Sequence, residues 1–322
     1  MTADPILVAD IGGTNARFAL ARRAGGAIAV EDMKRYRASE FDTLRAAATA
    51  YLDSLATKPK AACFAVAGPV TDAVIEFTNS PWVLDVAEIK AALHLDKLRV
   101  VNDFEALACG VLHLGKDDFM SVRAGGGDKG APVLVIGPGT GFGQAIIVPT
   151  QSGKRVISTE GGHVAFAPRT DEEIEIMKFI AREHGRVSVE RVLSGAGLVN
   201  IHRALCARAN APRPLLHADE ITKAALADEQ SSAAKAVDLF CALLGAAAGD
   251  AVLATGARGG VVLGGGILPK ISDIFLKSRF VERFLDKGRM RDYVEDVPVD
   301  LIVREGAARI GAAAMMLGGG EK

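Results

Sequence analysis

Residues 7–20 read LVADIGGTNARFAL, and the reading of this stretch decides the fold. An apolar run meets Asp10, Gly12, Gly13 and Thr14, then turns partly apolar again. It lacks the long apolar core behind basic residues that marks a signal peptide. A Walker loop needs G-x-x-x-x-G-K-[ST] ahead of a helix. Here no lysine follows the glycines, and Ala16–Ala21 alternates as a strand does. A dinucleotide fingerprint also leads into a helix, which does not fit. What remains is a strand–glycine turn–strand hairpin. Its successive backbone N–H groups can bind an anion, and glycine lets a phosphate approach without a Cβ in the way.

The pattern recurs. Val133–Ile136 and Phe142–Val148 read as strands around GPGTG, residues 137–141. Both turns carry Gly-Thr, at Gly13-Thr14 and at Gly139-Thr140-Gly141, which points to a divergent internal duplication. Two such cradles could grip a polyphosphate, and Asp10 at the lip could hold magnesium, usually through water. A third cluster, Gly264, Gly265 and Gly266, follows the strand Gly260–Leu263 and precedes a helix near Leu268–Lys277. It could let an adenine or ribose lie against backbone.

Elsewhere strands are expected at Ile6–Ala9, Ala27–Arg37, Ala61–Val66, Asp72–Thr78, Leu98–Val101 and Val299–Val303. Helices are expected at Phe41–Ala56, from Asp85 to His94 with Asp85 and Glu88 as a capping box, at Asp103–Leu114 and at Asp171–His184 before Gly185. Further helices start at Ser188 and Ala196 and span Asp219–Ala227, 231–255 and Gly306–Leu317. RAGGGDKGAP, residues 123–132, reads as a loop. Strands precede helices in both halves, so the class is α/β.

With 322 residues the chain exceeds the usual single core, so one large or two ordinary domains are expected. Its 38 basic and 39 acidic residues give no reason to invoke nucleic acid or an anionic membrane as main partner. The longest apolar run, Ala233–Thr255, contains Lys235, Asp238 and Asp250 and reads as a buried helix, not a membrane span. Cys63, Cys109, Cys206 and Cys241 show no metal or redox spacing, which suits reduced, mostly buried thiols in a cytoplasmic protein.

Polar residues beside the turns are candidate ligands. Asn102 and Asp103 follow an apolar strand, where open α/β folds keep their sites; either could instead cap the next helix. Glu160 and His163 flank two glycines and suit a ligand rim or a solvated turn. Glu190 reads as a first-turn acid, and Asn79 in TNSPW as a turn former.

DIGGTNARF, TNSPW, VNDF, GPGTGFG, EGGHVAFAP, VSVERVLSGAGL and GGVVLGGGI occur in this order. From Ile6 to about Leu317 the chain resembles the bacterial glucokinase family, in the hexokinase branch of the actin-like ATPases. The resemblance implies a two-domain, ribonuclease H-like fold with an interdomain cleft. Expected boundaries are 1–113 with 304–322 for the smaller domain and 114–303 for the larger. It implies transfer of the γ-phosphoryl group of ATP to the 6-hydroxyl of D-glucose, the first step of glycolysis, with Mg2+, and a homodimer. Asp103 matches the family's catalytic base; Asn102, Asp103, Glu160, His163 and Glu190 match its sugar ligands. Ala9, Asp10, Ile11, Gly12, Gly13 and Thr14 look like the first phosphate motif, with Asp10 toward the metal. Gly137, Gly139, Thr140 and Gly141 look like the second, and Gly264, Gly265 and Gly266 like the adenosine motif. The helices Asp103–Leu114 and Gly306–Leu317 match the family's hinge helices. The related repressor and sugar-kinase family carries a cysteine cluster with a zinc-bound histidine, which has no counterpart here, and its repressors carry a DNA-binding segment ahead of the first motif, for which no room is expected. A sugar-responsive binding protein on the same fold would bind without turnover; the intact Asp103 argues against it.

Overall fold

The computed structural model describes residues 4–68, 70, 72–77, 82–211 and 217–318. The chain forms two compact units, Met1–Asp118 with Arg304–Lys322, and Phe119–Val303. Asn79 and the turn expected around it lie outside the described residues.

The first unit opens with β1 (Ile6–Ile11), β2 (Asn15–Ala24) and β3 (Ala27–Arg37), then α1 (Leu44–Asp53) and β4 (Ala61–Val66). A small pair, β5 (Val74–Glu76) and β6 (Val83–Asp85), precedes α2 (Val86–Ala92), β7 (Lys97–Asn102) and α3 (Asp103–Val111). The sheet runs β3-β2-β1-β4-β7. Strand alternation sorts β1 between two cores. Leu7, Ala9 and Ile11 join Phe18, Tyr51 and Phe64 on the α1 side. Ile6 and Val8 join Ala106, Ala312 and Ala313 on the other. A sheet covered on both faces explains why β1 and β4 read as unbroken apolar runs.

Caps account for two departures from expectation. Helix α1 starts at Leu44, not Phe41, because the Thr43 hydroxyl accepts the Ala46 N–H. Asp85 does cap α2, accepting from Ala87 and Glu88 N–H. The reciprocal half of the expected box is replaced: Glu88 instead accepts from Arg45 at 2.8 Å.

The second unit comprises β8 (Phe119–Arg123), β9 (Val133–Pro138), β10 (Phe142–Thr150), β11 (Gly153–Thr159), α4 (Asp171–His184), α5 (Gly195–Arg208), α6 (Ala218–Ala227) and α7 (Ser232–Thr255). It continues through β12 (Gly260–Leu263), α8 (Ser272–Lys277), α9 (Phe280–Leu285), α10 (Arg291–Val294) and β13 (Val299–Ile302). Its sheet, β11-β10-β9-β12-β13-β8, repeats the first unit's order with one added antiparallel edge strand. In each unit an antiparallel three-strand meander is followed by two parallel strands. The duplication read from two glycine turns is thus a duplication of whole sheets. Helix α7 is capped by Ser231 and closed by Gly256 in the left-handed region. Phe240, Leu243 and Leu244 place it inside the core.

No helix starts at Ser188. Ser188 instead bridges Ala165, and the chain turns through Glu190 before α5 begins at Gly195. Phe166 and Val189 donate to Val187 and Val164 across this bridge, so the valine-rich segment finds extended partners. The chain then returns to the first unit as α11 (Ala307–Leu317), which packs on α3. A Cβ on Gly110 would strike the Ala307 carbonyl, and one on Gly311 the Ala106 carbonyl. Those glycines are what let the two backbones meet.

Candidate active site

Parallel pairing sets Ile11 beside Val66, and Val66 beside Asn102. The first glycine turn, the Gly68 turn and the Asn102–Asp103 step therefore share the carboxyl edge of the first sheet. The turn is closed by Gly12 N–H to Asn15 C=O and by Ala38 N–H to Thr14 C=O, both 2.9 Å. Around Gly12 the nearest atom a Cβ would meet is Asn15 O at 3.8 Å. Internal packing does not demand glycine there, and the space beside it is open.

Asn102 caps α3. Its Oδ1 accepts from Phe104 and Glu105 N–H at 2.9 and 3.1 Å, while its Nδ2 donates to Gly68 C=O at 3.0 Å. It joins the two turns, and of the readings open in the sequence the capping one holds at this residue. Asp103 begins α3, half-buried, with Oδ1 accepting the Phe104 N–H at 2.9 Å. A carboxylate is favoured on a helix's first turn.

Asp10 has the parity of Ile6 and Val8, so it lies on the α11 side of the sheet. Its Oδ2 pairs with Arg17 Nη1 at 3.3 Å and stands 3.9 Å from Arg309 Nη1. Neither arginine stood out in the sequence. Arg17 was findable, since hairpin register pairs it with Asp10; Arg309, some 300 positions away on α11, left no local signal. Burial pulls the Arg309 guanidinium below its usual range, and Asp10 opposes that shift without cancelling it.

In the second unit β9 and β12 run parallel, with Leu263 beside Ile136. The second and third glycine clusters are consequently neighbours. Gly264 N–H donates to Ile136 C=O at 2.9 Å. A Cβ on Gly137 would strike the Gly264 carbonyl, and one on Gly265, whose φ is +91°, the Pro138 carbonyl. Gly139 and Gly266 differ: a Cβ on either meets nothing within 4 Å. The glycines thus divide into those that let strands touch, Gly137 and Gly265, and those that leave open space, Gly139 and Gly266. Thr140 and Thr14 are both exposed. Helix α5 aims its N-terminus at this turn: Ser194 caps it, and Gly195 N–H donates to Gly139 C=O at 3.0 Å.

Glu160, His163 and Glu190 come together here. Glu190 N–H donates to Gly162 C=O at 2.9 Å, and His163 Nε2 lies 3.7 Å from Glu160 Oε2. The Glu190 carboxylate accepts the Phe142 N–H at 2.8 Å, directly behind Gly141. A Cβ on Gly141 would collide with that carboxylate. The Glu160 loop is also seated by buried Gln144, which fills the space beside Gly161. Among the described residues no three His, Cys, Asp or Glu side chains cluster as a metal site.

A family model described as Glucokinase matches residues 7–318. The chain belongs to the glucokinase family. It is similar to the glucokinase of Saccharophagus degradans, 42% identical over 315 residues that cover 97% of this chain and 98% of that protein. The glucokinase of Hahella chejuensis is 42% identical over 311 residues, covering 95% of each. The crystal structure of a glucokinase from an Antarctic psychrotroph superposes with a TM-score of 0.81 at 40% identity, covering 97% of this chain and 98% of that one. The resemblance drawn from the motifs is borne out, and the fold is that of the actin-like ATPases. The family match takes in both glycine turns, the Gly264–Gly266 cluster and the five candidate sugar ligands.

Proposed function

We propose that the chain is an ATP-dependent glucokinase, moving the γ-phosphoryl group of ATP to the 6-hydroxyl of D-glucose. The observation that carries this reading is the Glu190–Phe142 hydrogen bond. It joins a candidate sugar ligand to the edge of the second glycine turn, the candidate phosphate cradle. Family membership supplies the reaction class.

Asp103 is the general base in this proposal. It accepts the proton of the 6-hydroxyl as that oxygen attacks the γ-phosphorus and the bond to the β-phosphate oxygen breaks, giving glucose 6-phosphate and ADP. General base catalysis typically contributes about 10²–10⁴-fold. Positioning and electrostatic stabilisation supply much of the rest, since phosphoryl transfer needs little covalent help. Asn102 orients the sugar from the end of β7, and Glu160, His163 and Glu190 bond its hydroxyls. Charged acceptors make strong hydrogen bonds. A sugar with one inverted hydroxyl leaves such a group unpaired, which favours glucose.

The open turns at Ala9–Thr14 and Gly137–Gly141 take the nucleotide phosphates, and Gly264–Gly266 takes the adenosine. Asp10 suits magnesium: it is a half-exposed carboxylate at the lip of a turn, and Mg2+ commonly uses one or two carboxylates with phosphate and water completing its shell. When bound, the ion neutralises charge on the transferring phosphates. The two compact units serve as the enzyme's domains, and the active species is a cytoplasmic homodimer, as the family resemblance implies.

Replacing Asp103 tests the assignment. Asp103→Ala lowers kcat by at least about a hundredfold with modest change in glucose affinity; near-normal turnover would remove Asp103 from the role.

A further inference from the structure

Taking a guanidinium out of water costs several kcal/mol, so a buried arginine calls for a reason. In the first unit that residue is Arg309 on α11, 7% exposed. Its Nε is buried with no hydrogen-bond partner among the described residues. Its Nη1 stands 3.9 Å from Asp10 Oδ2, the same oxygen that Arg17 Nη1 reaches at 3.3 Å. Both cations approach the same oxygen of the carboxylate. The helix start is shaped around this guanidinium. Gly306, with φ +79°, precedes α11, and a Cβ there would come within 2.6 Å of Arg309 Nη2. The same helix is locked to α3 by the close approach at Gly311. The charge is therefore carried on a rigid element and held toward Asp10.

We propose that Arg309 is a positioning residue for the nucleotide site: it fixes the Asp10 carboxylate in the orientation that receives magnesium-bound phosphate at the first glycine turn. This rests on the reading of Asp10 as the metal-facing carboxylate. Groups that orient a metal-facing residue typically matter by about 10–100-fold.

The test measures binding of magnesium-loaded AMP-PNP by calorimetry, with glucose binding and thermal stability measured alongside. Arg309→Met keeps the apolar stem and removes the charge. It weakens nucleotide binding on the order of tenfold and leaves glucose affinity unchanged. Arg309→Lys recovers part of the loss, and remains the informative variant if Arg309→Met does not fold. In an Asp10→Asn background the Arg309→Met effect disappears. If Arg309→Met changes thermal stability alone while Asp10→Asn weakens nucleotide binding, the inference is overturned and the reading of Asp10 stands. If Asp10→Asn binds the nucleotide as tightly as the native chain, the reading of Asp10 falls and takes the inference with it.

Discussion

Single residues here are best understood by what surrounds the atom they lack or carry. Gly139 and Gly137 stand two positions apart in the same turn, yet a Cβ at Gly139 meets open space and one at Gly137 meets the backbone of Gly264. Gly139→Ala leaves stability within about 0.5 kcal/mol and weakens Mg·ATP binding about tenfold, or 1.4 kcal/mol. Gly137→Ala lowers the unfolding free energy by about 1–3 kcal/mol as an overpacked contact. Denaturant titration beside nucleotide calorimetry separates the two; equal stability losses would contradict the division. The sequence marked both glycines as phosphate contacts because spacing records a turn and not what lies across it. Asp10 was legible as polar at a turn lip, whereas its two arginines depend on register and on a helix far along the chain. Glu190 was legible as a candidate but not as the partner of Phe142 N–H, since that bond joins residues 48 apart.

At the scale of elements, several spans were legible to the residue. The spans of β3, β4, β12 and α4 are those expected, and Gly185 ends α4 with φ +68°. The polar edge strand β11 escaped notice because only one face of its ladder, against β10, gives it a reason to be extended. The Ser188 helix failed because a bridge to Ala165 competes for the same backbone. Helix α4 is also tied to α9 by a buried ion pair. Arg283 Nη1 lies 2.5 Å from Glu173 Oε1, and Arg169 N–H donates to Oε2 at 2.7 Å. Burial works against the Glu173 charge, but Arg283 and the backbone donors outweigh it and hold the carboxyl below its usual range. A lowered folded pKa stabilises fully above the unfolded value near about 4.3. That contribution is lost as pH falls from there through the folded value. Glu173→Gln strands the buried guanidinium and costs about 3–5 kcal/mol at neutral pH. In urea unfolding between pH 7 and roughly pH 3, the native chain's stability lead over the variant narrows toward the acid end; a gap constant across that range would refute the linkage. On α11, Gly311→Ala drives a methyl into the Ala106 carbonyl and lowers stability by about 1–3 kcal/mol in the same assay. An unchanged midpoint would show that the α3–α11 contact yields freely.

For the whole molecule, the repeated sheet order is the deepest regularity, and it was foreshadowed by two Gly-Thr turns in otherwise different segments. Each copy puts a glycine turn at the carboxyl edge of its central strand. Each then adds its own polar residues: Asn102 and Asp103 in one, Glu160, His163 and Glu190 in the other. Burial pushes the Cys63 and Cys241 thiols up to about 12, which keeps both protonated at neutral pH. The measurement that bears most directly on the account is a coupled assay for glucose 6-phosphate. It uses purified protein with ATP and magnesium against a panel of hexoses, and Asp103→Ala as the matched control. The account predicts ADP and glucose 6-phosphate in equal amounts, glucose as the preferred acceptor, and loss of at least about two orders of magnitude in the control. A folded protein that binds glucose and nucleotide but forms no hexose 6-phosphate from any sugar would contradict it.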